Sequence, residues 1–416
     1  MRVAIVGAGI SGLSAAYALR DAYQVTVFEA SAEAGGHAHT AVVPTTEGEL
    51  AIDTGFIVYN EPTYPGFTAL LKELDVPAEP SDMSFGCSCR ACSIEWSSRG
   101  LRGFFASRRR ALTPSHAGMA LDIMRFYRDA RAAIAGGPSP ATLGDYAAST
   151  GENAAARHFA LPMAAAIWST ATGEVRDMPF LFFARFMDNH GLIGRGRTLR
   201  WRTIRGGSRE YVRRLVAALP CGSVRTSSPV DAIERDPEGV TVQTARGCER
   251  FDAVIIATHG DSTLRLLRDA TDEERAALGS ITFTSNRVVL HTDRRLLPKH
   301  ERAHASWNVA TADCRNPEPA LTMTYDLTRL QSLPGPERYL VSVNPGDELD
   351  GRRVLREYEY SHPRFTPGLL AGQRAIGTLQ GCRRTFYAGA YLGNGFHEDG
   401  FQAGLRAARL VDSARL

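Results

Sequence analysis

The sequence predicts an α/β protein that joins a Rossmann-type nucleotide-binding domain to a second, discontinuous domain of mixed sheet and helices. Three observations carry this reading. The apolar run Val3-Ala4-Ile5-Val6 ends in a glycine-rich turn, Gly7-Ala8-Gly9-Ile10-Ser11-Gly12. Far downstream, Phe251-Asp252-Ala253-Val254-Ile255-Ile256-Ala257-Thr258 reads as a strand buried on both faces, as in a parallel sheet. Between and after these, stretches with and without nucleotide-type signals alternate, so each domain is assembled from separate segments.

Taken in order, residues 11–21 carry a small-residue helical pattern and Val25-Thr26-Val27-Phe28 is a second β-type run, completing a β-α-β unit of about 30 residues. Ile52 to Val58 reads as a strand or turn, and 64–75 as an amphipathic helix. From roughly 80 to 200 the chain is strand-like around its cysteines, then helical at about 113–134, at 152–168 and near 180–190. Short runs at 223–225, 230–233 and 240–242 are separated by turn residues such as Pro237-Glu238-Gly239. Strand patterns at 285–293, 319–326 and 338–344 predict a further sheet, and a last helix is expected at 399–412. The expected division is 1–78, 205–265 and 371–416 for the nucleotide domain, with 79–204 and 266–370 for the other.

At 416 residues the chain exceeds the size at which a single core keeps growing. Its 44% hydrophobic and 22% charged residues are ordinary for a globular protein. A net charge of +3 gives no electrostatic case for nucleic acid. No apolar segment reaches the length of a membrane span, and Met1-Arg2-Val3 runs directly into a strand without a secretion signal, so a cytoplasmic location is expected. Nearly all cationic side chains are arginine; Lys72 and Lys299 are the two lysines. Arg108-Arg109-Arg110 reads as a solvated face, with peripheral contact to a membrane surface or an acidic substrate as the alternative.

Seven cysteines without a secretion signal argue against a disulfide framework. Cys87, Cys89 and Cys92 form a close group, but a zinc site needs a fourth ligand at defined spacing and none follows nearby. Reduced cysteines in a strand-rich segment, with no metal, are expected.

In the glycine turn, Gly7 permits the sharp exit from the strand, Gly9 lets backbone approach a pyrophosphate, and Gly12 allows close helix–strand contact. The helix beyond, from Ser11 onward, presents unpaired N–H groups and a positive dipole end. Glu29, seventeen residues after Gly12 at the end of the second strand, is placed to accept ribose hydroxyls. NAD and FAD share this fingerprint.

The segment Glu29-Ala30-Ser31-Ala32-Glu33-Ala34-Gly35-Gly36 resembles the flavin-containing amine oxidase superfamily, which includes monoamine oxidases, protoporphyrinogen oxidase and phytoene desaturases. There a Gly-Gly pair follows the ribose-binding glutamate and lies against FAD. The sequence departs from the pattern at His37, where an arginine often follows the pair. Phe251 to Thr258 followed by His259-Gly260-Asp261 is similar to the strand and turn beside the nucleotide. Tyr387-Ala388-Gly389-Ala390 through Gly395-Phe396-His397-Glu398-Asp399-Gly400 resembles the last FAD motif. Together with Asp53-Thr54-Gly55-Phe56-Ile57-Val58-Tyr59-Asn60, these motifs resemble a bacterial subfamily of predicted NAD/FAD-binding, amine-oxidase-like proteins. Some of its members are associated with modification of unsaturated or methyl-branched fatty acyl chains.

The resemblance implies non-covalent FAD, contacted by Gly7, Gly9, Ser11, Gly12, Glu29, Ala30, Gly35, Gly36, His37, Ala257, Thr258, Gly389, Ala390, His397, Glu398 and Asp399. It implies substrate-side positions for Tyr59, Trp201, Trp307 and Tyr325. Amine oxidases of this superfamily carry a lysine near flavin N5, in the region matching 286–296, and none stands here. His291 falls near that place and reads either as a proton acceptor or as a histidine satisfied within the sheet. His397, in the motif that borders the flavin, has the better positional claim as a catalytic proton acceptor; Glu398 and Asp399 read as cofactor or helix-cap contacts. Asp53 reads as a turn former. The leading expectation is an FAD-dependent dehydrogenase, desaturase or oxidase acting on an apolar, acyl-type small molecule. Amine or amino-acid oxidation, redox-neutral isomerisation and a non-catalytic flavin protein are the alternatives.

Overall fold

The computed structural model describes residues 1–46, 48–107, 114–170, 172–193, 199–316 and 322–414. Arg108-Arg109-Arg110 and the start of the strand expected at 319–326 lie outside the described residues.

Five strands form a parallel sheet in the order Val224–Arg225, Gln24–Phe28, Arg2–Val6, Ala253–Ile256, Thr385–Tyr387. In the adjoining strands Arg2–Val6 and Ala253–Ile256, every residue but the exposed Arg2 is apolar and buried, as in a sheet covered on both faces. Helix Ile10–Leu19 follows the first strand and packs against the C-terminal helix His397–Ser413. That approach is close: a Cβ at Gly404 would stand 2.1 Å from the Ser11 carbonyl oxygen, and Ser14 Oγ donates to the Phe401 carbonyl at 3.1 Å. An antiparallel layer of Val230–Asp236, Gly239–Thr244 and Gly247–Phe251 accompanies this sheet.

A seven-stranded sheet has the order Val354–Pro363, Phe283–His291, Leu340–Val343, Thr322–Asp326, Trp307–Thr311, Phe85–Cys89, Ile94–Ser97. All its neighbours are antiparallel except Trp307–Thr311 with Phe85–Cys89. Helices Pro114–Ile134, Leu161–Trp168 and Phe180–Asn189 contribute a largely apolar and aromatic core beside it. A small sheet, Val58–Asn60, Trp201–Ile204 and Ala78–Pro80, straddles the expected boundaries at 78/79 and 204/205. Strand Trp201–Ile204 therefore pairs across the division instead of ending one segment.

Asp53 is more than a turn former. Its Oδ1 accepts from Thr40 Oγ1 at 2.6 Å and from the N–H and Oγ of Ser208 at 2.8 Å, while Gln331 Nε2 reaches Oδ2 at 3.2 Å. The carboxyl thereby ties three distant segments together, and burial pushes its pKa up to about 6. Among the described residues no helix is long and apolar enough to cross a membrane.

Candidate active site

A cavity of about 1250 Å³ opens between the two main sheets. One end is built from the glycine segments. Gly7 has φ +103°, and a Cβ there would lie 2.9 Å from the Ala257 carbonyl oxygen, so the turn is pressed against the neighbouring strand. A Cβ at Gly12 would stand 1.9 Å from the Gly7 carbonyl oxygen. Gly9 differs: nothing lies within 4 Å of its Cβ position, and the residue lines the cavity. The Gly35 N–H donates to the Ala8 carbonyl at 2.8 Å, which lays the Gly-Gly pair across this turn. A side chain at Gly36 would press on Gly9 Cα.

Helix Ile10–Leu19 begins here with no side-chain cap and no acidic residue in its first turn, so its N-terminal N–H groups are left for an anion. The Glu29 carboxylate, in the cavity wall, is aimed by the Ala8 N–H at 2.7 Å and the Ser31 N–H at 2.9 Å. Ser11, Ala30, Gly35, Gly36, His37, Ala257, Thr258, Gly389 and Ala390 also line the cavity. An extended cradle of glycine backbone, a free helix N-terminus and a carboxylate at the strand end match phosphate and ribose, and so fit FAD.

At His37 the family's arginine is replaced by a ring that burial holds neutral, with its pKa well below the usual histidine range. Its Nε2 is buried without a partner among the described residues and is available to a bound group. His37 stands among His259, His362 and Tyr360, with ring centroids 5.6, 5.5 and 5.3 Å away. All four line the cavity.

The protonation of His362 follows from a chain of fixed donors. The Arg287 N–H donates to Asn344 Oδ1 at 2.9 Å, so Asn344 Nδ2 must be the donor to Asn286 Oδ1 at 2.7 Å. Asn286 Nδ2 then donates to His362 Nδ1 at 2.9 Å, which places the imidazole proton on Nε2. Burial pushes the His362 pKa down to about 4, keeping the ring neutral. Sequence reasoning missed His362 and Asn286, because neither belongs to a local motif.

Several expected site residues lie elsewhere. His291 is fully buried but does not line the cavity; Ser342 Oγ meets its Nε2 at 2.8 Å and the Asp293 N–H donates to its Nδ1 at 3.0 Å. It belongs to a polar layer on the sheet face opposite Val288, where Thr324 Oγ1 also meets Ser342 Oγ at 2.7 Å. Tyr59 alternates away from cavity-lining Val58 and packs on Phe67 at 5.6 Å. Gly12 supports the turn from behind. Glu398 accepts the N–H groups of Gly66 and Phe67, capping helix Pro65–Glu73, and Asp399 accepts the Phe396 N–H at 3.0 Å. Both acids are helix caps. His397 does line the cavity, but its Nε2 is paired with Tyr211 Oη at 2.8 Å and burial pushes its pKa down to about 3. That ring is poorly suited to accept a proton.

The other end of the cavity is apolar. Trp201, Trp307 and Tyr325 line it, with Phe85, Trp96 and Phe159. Trp307 and Tyr325 meet edge to face at 5.2 Å.

The parallel sheet and the glycine cradle define a dinucleotide-binding protein, and the family match makes it an FAD-dependent oxidoreductase. Residues 10–350 match the family of flavin containing amine oxidoreductases, and the chain belongs to that family. Among solved structures, cyclohexylamine oxidase from Brevibacterium oxydans IH-35A superposes with a TM-score of 0.70 at 17% identity, covering 99% of this chain and 98% of that one. A CLA-producing fatty acid isomerase from P. acnes gives 0.66 at 16% identity, covering 100% and 99%. An L-amino-acid oxidase of Bothrops atrox is 68% identical over 40 residues, spanning 9% of this chain and 8% of the relative.

Proposed function

We propose that the chain takes a hydride equivalent from an apolar substrate, with an unsaturated or modified acyl chain as the substrate class. The observation that carries this reading is the composition of the cavity wall. Among the described lining residues Glu29 is the one carboxylate, at the nucleotide end, while Phe85, Trp96, Phe159, Met163 and Trp307 surround the substrate end. An ammonium group would find no countercharge there, whereas an alkyl chain is desolvated over its length.

Bound FAD supplies a two-electron acceptor. The aromatic wall excludes water and confines the chain, and the His362 Nε2–H offers a donor of fixed tautomer. The rim supports entry of a long apolar group: Leu101 and Met124, 78% and 58% exposed, belong to both the wall and the surface. Peripheral contact with a lipid surface at this rim is part of the proposal.

Redox-neutral movement of a double bond is the second reading, favoured by the neutral, proton-bearing His362 beside the cavity and by the likeness to a fatty acid isomerase. Anaerobic titration of the yellow protein separates the readings. Unsaturated acyl chains are expected to bleach the flavin, while cyclohexylamine, putrescine and L-amino acids leave it oxidised. A lipid product with a shifted double bond and no bleaching selects isomerisation. Bleaching by amines and not by lipids overturns both.

A further inference from the structure

One end of the seven-stranded sheet gathers four potential ligands from three distant segments. Strands Phe85–Cys89 and Ile94–Ser97 are joined by a tight turn in which Ser93 has φ +52°. The turn is pinned to the segment after strand Trp307–Thr311: the Arg90 N–H donates to the Thr311 carbonyl and the Ala91 N–H to the Ala312 carbonyl, both at 3.0 Å. This brings Cys314 over the Cys89-x-x-Cys92 turn. The three Sγ atoms all lie within 4.8 Å of one another. From the other side, the single π-helical turn Ala156–Ala160 presents His158, whose Nε2 is 3.6 Å from Cys92 Sγ. Such π turns recur where a helix must aim a functional side chain.

We propose that Cys89, Cys92, Cys314 and His158 bind one zinc ion as a structural Cys3His site. With Zn–S about 2.3 Å and Zn–N about 2.0–2.1 Å, tetrahedral geometry requires S···S near about 3.8 Å and S···N near about 3.6 Å. The imidazole stands at the second distance from Cys92, and binding would draw the three sulfurs in from within 4.8 Å and turn His158 further toward Cys89 and Cys314.

Cys89 is buried and Cys92 and Cys314 are half-buried, so a bound ion would be largely shielded from water. Cys87, two residues before Cys89 on the same strand, is buried in the core and is not one of the three clustered thiols. Three thiolates and an imidazole select zinc over hard cations. The sequence groups Cys87, Cys89 and Cys92 with no fourth ligand nearby, and Cys314 and His158 lie far from them along the chain, which is why no metal was expected. The ion would brace the substrate end of the cavity, since Phe159 follows His158 and Trp96 Nε1 donates to the His158 carbonyl at 3.1 Å; both aromatics line the wall.

The test is metal analysis of the FAD-loaded protein purified without chelator. About one zinc per chain is expected, released by a mercurial thiol reagent and detected with a zinc indicator. Cys92→Ser, Cys314→Ser and His158→Asn should lose the ion, while Cys221→Ser, at an exposed cysteine, should retain it. Where a ligand variant fails to fold, the wild-type chain grown with Co(II) in place of zinc decides the matter: tetrahedral thiolate–cobalt bands are expected on the long-wavelength side of the flavin absorption. Metal-free protein whose thiols all titrate as reduced, or protein with a Cys89–Cys92 disulfide, overturns the proposal. Flavin content is read separately, so neither result bears on the cofactor.

Discussion

Tyr211 Oη and His397 Nε2 lie 2.8 Å apart in a fully enclosed contact, with the Phe56 ring stacked on the imidazole at 3.8 Å. The pair supports the C-terminal helix from within, beside the flavin site but not in its chemistry. Tyr211→Phe leaves a buried ring nitrogen unpaired, which is expected to destabilise the protein by about 1–3 kcal/mol. The rate of flavin reduction should be unchanged. A midpoint of chemical unfolding that does not fall, or a large loss of reduction rate, would show that the contact has been misread.

The two glycines of the first turn should behave oppositely. Gly9 has ordinary extended backbone (φ −74°, ψ −178°) and its Cβ position faces open cavity, so Gly9→Val is expected to fold but to purify colourless. At Gly12 a Cβ meets the Gly7 carbonyl oxygen at 1.9 Å, so Gly12→Val should fail to reach the native fold. Circular dichroism and flavin absorbance on the two variants distinguish these outcomes; a yellow Gly9→Val protein would contradict the pyrophosphate cradle.

Arg235 and Glu274 form a buried ion pair with guanidinium nitrogens 2.5 and 2.8 Å from the carboxylate, and Tyr387 Oη donates to the same carboxylate at 2.6 Å. The arginine side chain is 0% exposed and the glutamate 2%. The pair joins the strand Val230–Asp236 to helix Asp272–Gly279 and to the strand end at Tyr387. Glu274→Ala leaves Asp269, 2.9 Å from Arg235 Nε, as the remaining carboxylate but strips buried guanidinium donors of their partner, and is expected to cost about 1–3 kcal/mol, read as a shifted denaturation midpoint. A shift below about 1 kcal/mol, the range of exposed pairs, would mean that water reaches the site.

These contrasts show what was legible beforehand. The glycine roles, Glu29 and the parallel sheet depend on residues close in sequence, where turn geometry and strand patterning act locally. Tyr59 was misplaced, and the two readings of His291 stayed open, because alternation states that a strand has two faces, not which one looks into a cavity; Val58 and Val288 line it, and His291 is satisfied within the sheet. For Glu398 the cofactor and helix-cap readings could not be separated, because its partners, Gly66 and Phe67, are 332 and 331 residues away. Cys314 and His158 escaped for the same reason.

Acidification should weaken the fold. Burial sets the folded pKa values of His291 and His362 at about 4 and of His397 at about 3, against about 6.5 in an unfolded chain. A depressed histidine contributes stability above the unfolded value and loses it as pH falls toward the folded value. At pH 5 each has forfeited about 2 kcal/mol. Asp53 acts oppositely: its pKa of about 6 lies above the unfolded carboxyl, so it adds stability as pH falls from about 6 to about 4, offsetting less than one of the three histidines at pH 5. Stability measured by denaturant should therefore fall between pH 7 and pH 5. A flat or rising profile would show that the histidines protonate in place.

The Asn344–Asn286–His362 chain gives the sharpest test of the site. In the native protein every donor direction is set by the Arg287 N–H, and the chain ends with an amide N–H on His362 Nδ1. Asn286→Asp keeps the shape but reverses the last link: one carboxylate oxygen accepts from Asn344 and the other faces His362. The ring must then carry a proton on Nδ1, and the carboxylate favours the doubly protonated form. The His362 pKa is expected to rise from about 4 toward or above the ordinary histidine value, followed by the histidine ring resonances in NMR. If His362 serves the reaction, the pH profile of flavin reduction should move with it, whereas a purely structural ring would change stability alone. An unshifted His362 titration in Asn286→Asp would refute the assigned tautomer, because only a donor at residue 286 fixes the proton on Nε2.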